Sequence, residues 1–135
     1  MSEHPALTAA REAMAAVSAG DRTAWLDLYD DDAVLEDPVG GSPLDPEGVG
    51  LRGRTALEGF WDLVVGPNDF DFEITATHSG GSEAALSATV RGRYPNGAKT
   101  SYDGIFIYAI GENGKITSVR AFWDIDAVMS ALGAS

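Results

Sequence analysis

Gly104-Ile105-Phe106-Ile107-Tyr108-Ala109-Ile110 is the stretch on which the fold turns. It is apolar at both parities, as expected of a central strand covered on both faces. One face is expected to meet helices and the other a partner subunit. Working outward, Asn113-Gly114 follows it and Asn96-Gly97 precedes it, and Asn-Gly pairs between apolar runs favour tight antiparallel hairpins. Strands are therefore predicted over Phe70 to His78, Ala84 to Tyr94, Thr100 to Ile110 and Ile116 to Trp123.

The first half of the chain has a different period. Leu7, Ala10, Met14 and Val17 recur at steps of three and four and predict a helix from Pro5 to Ala19, stopped by Gly20. Asp21 suits the N-cap of a second short helix carrying Trp25, Leu28 and Tyr29, with the acidic run Asp30-Asp31-Asp32 as its exit. Ala33 to Asp37 reads as a short strand ended by Pro38, and alternation puts Asp37 on the side of Leu35. After a loop rich in Gly, Pro, Ser and Asp from Val39 to Gly53, a third helix is expected. Its stripe is Leu57, Phe60, Trp61 and Val64, and its stop is Gly66. Helices first and an antiparallel sheet afterwards indicate an α+β fold, and 135 residues suit one domain spanning 1–135.

A formal net charge of −12 disfavours nucleic acid, whose phosphates are bound through Lys and Arg, and disfavours an anionic membrane for the same reason. There is no cysteine, hence no disulfide and no thiolate metal site. Glu3, Arg11 and Glu12 interrupt the Ala-rich start, which is unlike a signal peptide, so a cytoplasmic location is expected. Two histidines, His4 and His78, cannot build a His-rich metal centre, and neither a metal nor a cofactor is expected. Gly48-Val-Gly50-Leu-Arg-Gly53 spells a dinucleotide fingerprint but follows Pro and Asp residues rather than a buried strand. The acidic run near Asp30 lacks the glycine and terminal Glu of a calcium loop.

Several segments together carry a resemblance. They are Gly20-Asp21, Tyr29, Glu36-Asp37-Pro38-Val39-Gly40, Gly53-Arg54, and Gly114-Lys115-Ile116 through Ala121-Phe122-Trp123. The chain resembles the ketosteroid isomerase family within the nuclear transport factor 2-like, or SnoaL-like, group. The loop from Gly41 to Gly50 is similar to that of an actinobacterial steroid-isomerase-like branch. The resemblance implies a curved antiparallel sheet wrapped around three N-terminal helices as a cone, with an apolar pocket inside. It also implies homodimers through the outer sheet face, and a steroid-like or other small hydrophobic ketone as ligand.

Asp37 falls on the family's general base, a role that needs a carboxylate ionised near neutral pH with only a modest upward shift. An Asp before Pro also suits a residue that merely braces the next loop. Counted without gaps, the family's catalytic tyrosine falls at Ala13 and its donor aspartic acid at Phe106, and neither replacement donates a hydrogen bond. Tyr102, Phe106 and Tyr108 share a strand parity, so Tyr102 is a candidate substitute donor. Tyr29, Trp61, Phe106, Tyr108 and Trp123 are the expected ligand-binding residues, whereas Asp103 has the opposite parity and is expected to face outward. The expectation is a cofactor-free proton-transfer enzyme with Asp37 as base. The alternative is a binder of apolar ligands, or a cyclase or dehydratase, because both usual donors are missing.

Overall fold

The computed structural model describes residues 3–133. Helix α1 (Pro5–Ala19) begins where His4 Nδ1 accepts from the Ala6 N–H and ends at Gly20, whose φ of 69° is the left-handed conformation that a helix-stopping glycine supplies. Its buried side is mostly alanine with Leu7 and Met14, and the alanines let it lie close against the sheet. Helix α2 (Arg22–Asp27) follows, capped by the Asp21 carboxylate on the Ala24 N–H.

Strand β1 (Tyr29–Glu36) begins earlier than the sequence suggested. The acidic run is strand rather than helix exit, because Tyr29, Ala33 and Leu35 point into the core while Asp31 and Asp32 remain in solvent. A register shift between Tyr29 and Val34, against the strand that holds Ile116 and Ser118, accommodates the change. The short strand β2 (Leu51–Arg52) pairs with β1, and helix α3 (Arg54–Phe60) runs on into a π-helical turn, Trp61–Val65, closed by the Gly66 N–H to the Trp61 carbonyl.

The sheet is completed by β3 (Asp69–Gly80), β4 (Glu83–Arg93), β5 (Lys99–Ile110) and β6 (Ile116–Phe122). Its order is β2-β1-β6-β5-β4-β3, so it is open and curved rather than a closed barrel. All neighbours are antiparallel except β1 and β6, which run parallel. That exception sends β1 and β6 out at the same end of the sheet, which brings Asp37 beside Trp123. Helix α4 (Ile125–Ala131) turns back over this end, capped by Asp124 on the Ala127 N–H, while Asp126 lies inside its first turn.

Alternation sorts the two sheet faces. Leu86, Val90, Phe106, Tyr108, Val119 and Ala121 are buried under the helices. The outer face carries Thr89, Asp103, Arg120 and Phe122, and Ile105 there is 43% exposed. The double apolar parity of β5 therefore marks a strand buried on one face and partly open on the other within the single chain.

Candidate functional site

Between the helices and the concave sheet face lies a cavity of about 390 Å³ with an overwhelmingly apolar wall. This is within the roughly 300–1,000 Å³ usual for small-molecule pockets. Three elements close over its sheet-lined body. Helix α4 supplies Ile125, Val128 and Met129, and the π-helical turn supplies Leu63 and Val64. The loop after β1 supplies Pro43 and Leu44. It is held in shape by the buried Asp45 carboxylate, which accepts from the Val49 and Gly50 N–H groups at 3.0 and 2.9 Å.

Asp37 stands immediately after β1 with its carboxylate in this wall. The Trp123 indole N–H donates to its Oδ1 at 2.6 Å. Burial among apolar side chains raises the carboxyl's pKa, and the Trp123 bond offsets part of the rise by favouring the ionised form. Trp123 is in turn stacked on Tyr102, with ring centroids 4.6 Å apart. The carboxylate is thus oriented by one donor that is itself held by packing.

Three tyrosines surround this group. Tyr29 and Tyr108 are almost fully buried, at 7% and 6% exposure, and Tyr102 is half-buried. Burial raises the pKa of all three well above the normal phenol value, and the nearby Asp37 carboxylate adds to the rise. They are neutral hydrogen-bond donors at physiological pH. No buried side-chain oxygen or nitrogen among the described residues lacks a partner. The hydroxyls of Tyr102 and Tyr108 bond to no other described side chain and open onto the cavity, whereas a hydrogen bond from Trp25 to Tyr29 offsets part of the rise there.

Six of the seven residues singled out from the sequence line the same cavity: Asp37, Tyr29, Tyr102, Phe106, Tyr108 and Trp123. Trp61 does not. It is buried behind the wall, tilted against Trp25 at 5.4 Å, and Trp25 occupies the lining position. Its stripe neighbours Phe60 and Val64 do line the cavity, while the Trp61 indole turns to Trp25 instead. Ala13 is buried in α1, and Phe106 packs edge-on against Phe72, so neither position offers a polar group. Sequence reasoning missed Phe70, Phe72 and Tyr94, although all share the inward parity of their strands. It also missed Asn68, which the loop position concealed.

Residues 10–119 match the family model described as a SnoaL-like domain. The chain belongs to the SnoaL-like family. Among its relatives, this SnoaL-like chain is 34% identical to a steroid Δ-isomerase of Nocardioides simplex over 110 residues, 80% of each chain. It is similar to a solved Δ5-3-ketosteroid isomerase from a Mycobacterium species at 35% identity, covering 93% of this chain and 97% of that one, with a TM-score of 0.87. It is also similar to the Mycobacterium tuberculosis protein RV0760c, solved with estradiol-17beta-hemisuccinate. There the identity is 32% with a TM-score of 0.86, over 92% of this chain and 97% of that one. The SnoaL-like domain is thus closely related to actinobacterial ketosteroid isomerase-like proteins. No helix among its described residues is long and apolar enough to cross a membrane, and they contain no cluster of three or more metal-ligating side chains.

Proposed function

We propose that this protein is a cofactor-independent isomerase of hydrophobic ketones, of the steroid Δ-isomerase kind, with Asp37 as the proton shuttle. The observation that carries the proposal is the one carboxylate among the cavity's lining residues, held by Trp123 and facing an apolar wall set with neutral phenols. In the reaction, Asp37 takes a proton from the carbon between the ketone and the isolated double bond. The electron pair moves onto the ketone oxygen as a dienolate, and Asp37 returns the proton two carbons further along. The double bond ends in conjugation with the ketone, and no electrons enter or leave.

The dienolate oxygen needs donors, and each such donor is worth about 10²–10³ in rate. With Ala13 and Phe106 unable to supply them, Tyr29 and Tyr108 are the better candidates, because both are almost fully buried and feel the Asp37 carboxylate. Tyr102 is more open and is engaged by its stack on Trp123, so it serves as the third donor of the set. Steroid-linked relatives support the substrate class.

Purified protein with 5-androstene-3,17-dione provides the test, followed through the absorbance of the conjugated enone. Turnover that falls by about 10²–10⁴ in Asp37→Asn, the usual worth of a general base, is expected. No turnover, or turnover unaffected by that substitution, sinks the isomerase reading. Saturable quenching of tryptophan fluorescence without turnover would instead favour a binder of apolar ligands, the reading motivated by the apolar residues at 13 and 106.

A further inference from the structure

The cavity has a second polar group of side chains that the proton-transfer reading leaves unused. Asn68 lies just before β3, and Tyr94 just after β4, at positions that face each other across the pair. Both line the cavity. The Asn68 amide is oriented by its Nδ2, which donates to the Val64 carbonyl at 2.6 Å. Among the described residues nothing donates to its Oδ1, which is left free to accept from a ligand. The Tyr94 ring packs edge-on against Phe70 at 6.0 Å, and its hydroxyl shares a hydrogen bond of 3.2 Å with Thr100 Oγ1.

Gly92 makes this arrangement fit. A Cβ there would lie 2.7 Å from Thr100 Oγ1, 2.9 Å from the Tyr94 hydroxyl and 3.0 Å from Phe70. The absent side chain is the space into which the phenol folds.

Sheet register separates this group from the carboxylate. Glu36 is abreast of Arg120, so Asp37 comes beside Ala121, which lies opposite Phe106. Thr100 lies opposite Gly92, six residues along β5 from Phe106. At about 3.3 Å per residue this is roughly 20 Å of strand, less whatever the curvature and the converging side chains take up. Between the two groups the wall is Phe72, Val90 and Phe70, with no polar side chain of its own but Tyr102. The site is polar at two ends and apolar between them.

We infer that Asn68 and Tyr94 form a distal subsite that recognises a second oxygen on the ligand, so that the preferred substrate is an elongated, rigid, apolar ketone oxygenated at both ends. Tyr94 can donate to a carbonyl while accepting from Thr100, and Asn68 Oδ1 can accept from a hydroxyl, so the subsite takes either oxygen function. A ligand held at the far end is fixed along its length, which sets the register of the reacting carbons against Asp37. This inference rests on the proposed reading of the cavity as a site for hydrophobic ketones.

A ligand-against-variant comparison tests it. Binding of 4-androstene-3,17-dione and of 4-androsten-3-one, which lacks only the distal oxygen, is measured by tryptophan fluorescence and calorimetry. The wild type is expected to favour the dione by about five- to tenfold, the worth of one or two neutral hydrogen bonds. Tyr94→Phe is expected to cut that ratio to about twofold or less, and Asn68→Leu to do the same to the preference for testosterone, whose distal hydroxyl can donate to Oδ1, over 4-androsten-3-one. The ratio is the readout, so a general loss of affinity does not imitate the effect. Tyr94→Phe keeps the contact with Phe70 and serves should Asn68→Leu fail to fold. Two ligands bound with no wild-type preference, or a preference surviving both substitutions, overturns the subsite and leaves the ketone site intact. No saturable binding of either compound overturns the ketone reading and the subsite with it.

Discussion

Asp37 and Asp103 belong to the same sheet and differ chiefly in which face they meet. Asp37 is enclosed by apolar side chains, receives the Trp123 N–H, and has its pKa raised by burial. Asp103 stands on the outer face in solvent, where the Thr89 hydroxyl donates to it at 2.6 Å. One is a carboxyl whose acidity its surroundings have altered, and the other is half of a surface hydrogen bond. A carboxylate becomes a candidate catalyst through its surroundings, and the strand's two-residue alternation assigns those surroundings.

The largest effect expected to sharpen this contrast comes from the donors. Tyr108→Phe should lower kcat on the enone-forming reaction by about 10²–10³, whereas Asp103→Asn should leave it within about twofold. Comparable losses in steady-state assays of both variants would erase the distinction between the faces. Next comes Trp123→Phe. The indole N–H favours the ionised Asp37, and a hydrogen bond to a charged group is worth about 1.5–3 kcal/mol. Its removal raises the carboxyl's pKa further, so the limb of the pH–rate profile on which activity rises with ionisation should move to higher pH. A limb that stays in place, or moves down, would show that the bond does not tune the base.

The same raised pKa has a consequence for stability. A carboxyl bound more tightly to its proton in the folded state than in the unfolded one costs stability above the folded pKa. That cost disappears as pH falls towards the unfolded value. Asp37→Asn should therefore melt at a higher temperature than the wild type at neutral pH, with the gap closing in acid. Thermal unfolding across pH checks this. The smallest effect is in packing: Ile116→Val, fully buried, should cost about 0.5–1.5 kcal/mol in urea unfolding, and Ile105→Val, partly exposed, within about 0.5.

Much of this was legible in the sequence because it is local. The inward parity of Tyr102, Phe106 and Tyr108 followed from one strand, as did the outward parity of Asp103. Pro38 and Leu35 were enough to place Asp37 at a strand end on the inner side. What was not legible depends on distant parts of the chain or on irregular helix. The Trp123 bond to Asp37 joins residues 86 apart and requires β1 and β6 to run parallel, which no turn signal announces. Trp61 was named from the resemblance, and its packing against Trp25 joins the π-helical turn to α2, a contact that neither segment announces alone. Tyr29 was read as helical because Trp25, Leu28 and Tyr29 also fit a helical face. The bond from the Ile116 N–H to the Leu28 carbonyl draws the chain into the sheet there instead.

Gly92 leaves the space that the Tyr94 phenol fills. Any side chain at this position would push the Tyr94 phenol away from Thr100 and Phe70. On the inferred subsite, a missing methyl group then decides where the far end of a ligand is met, and a relative with alanine there would meet it at another place.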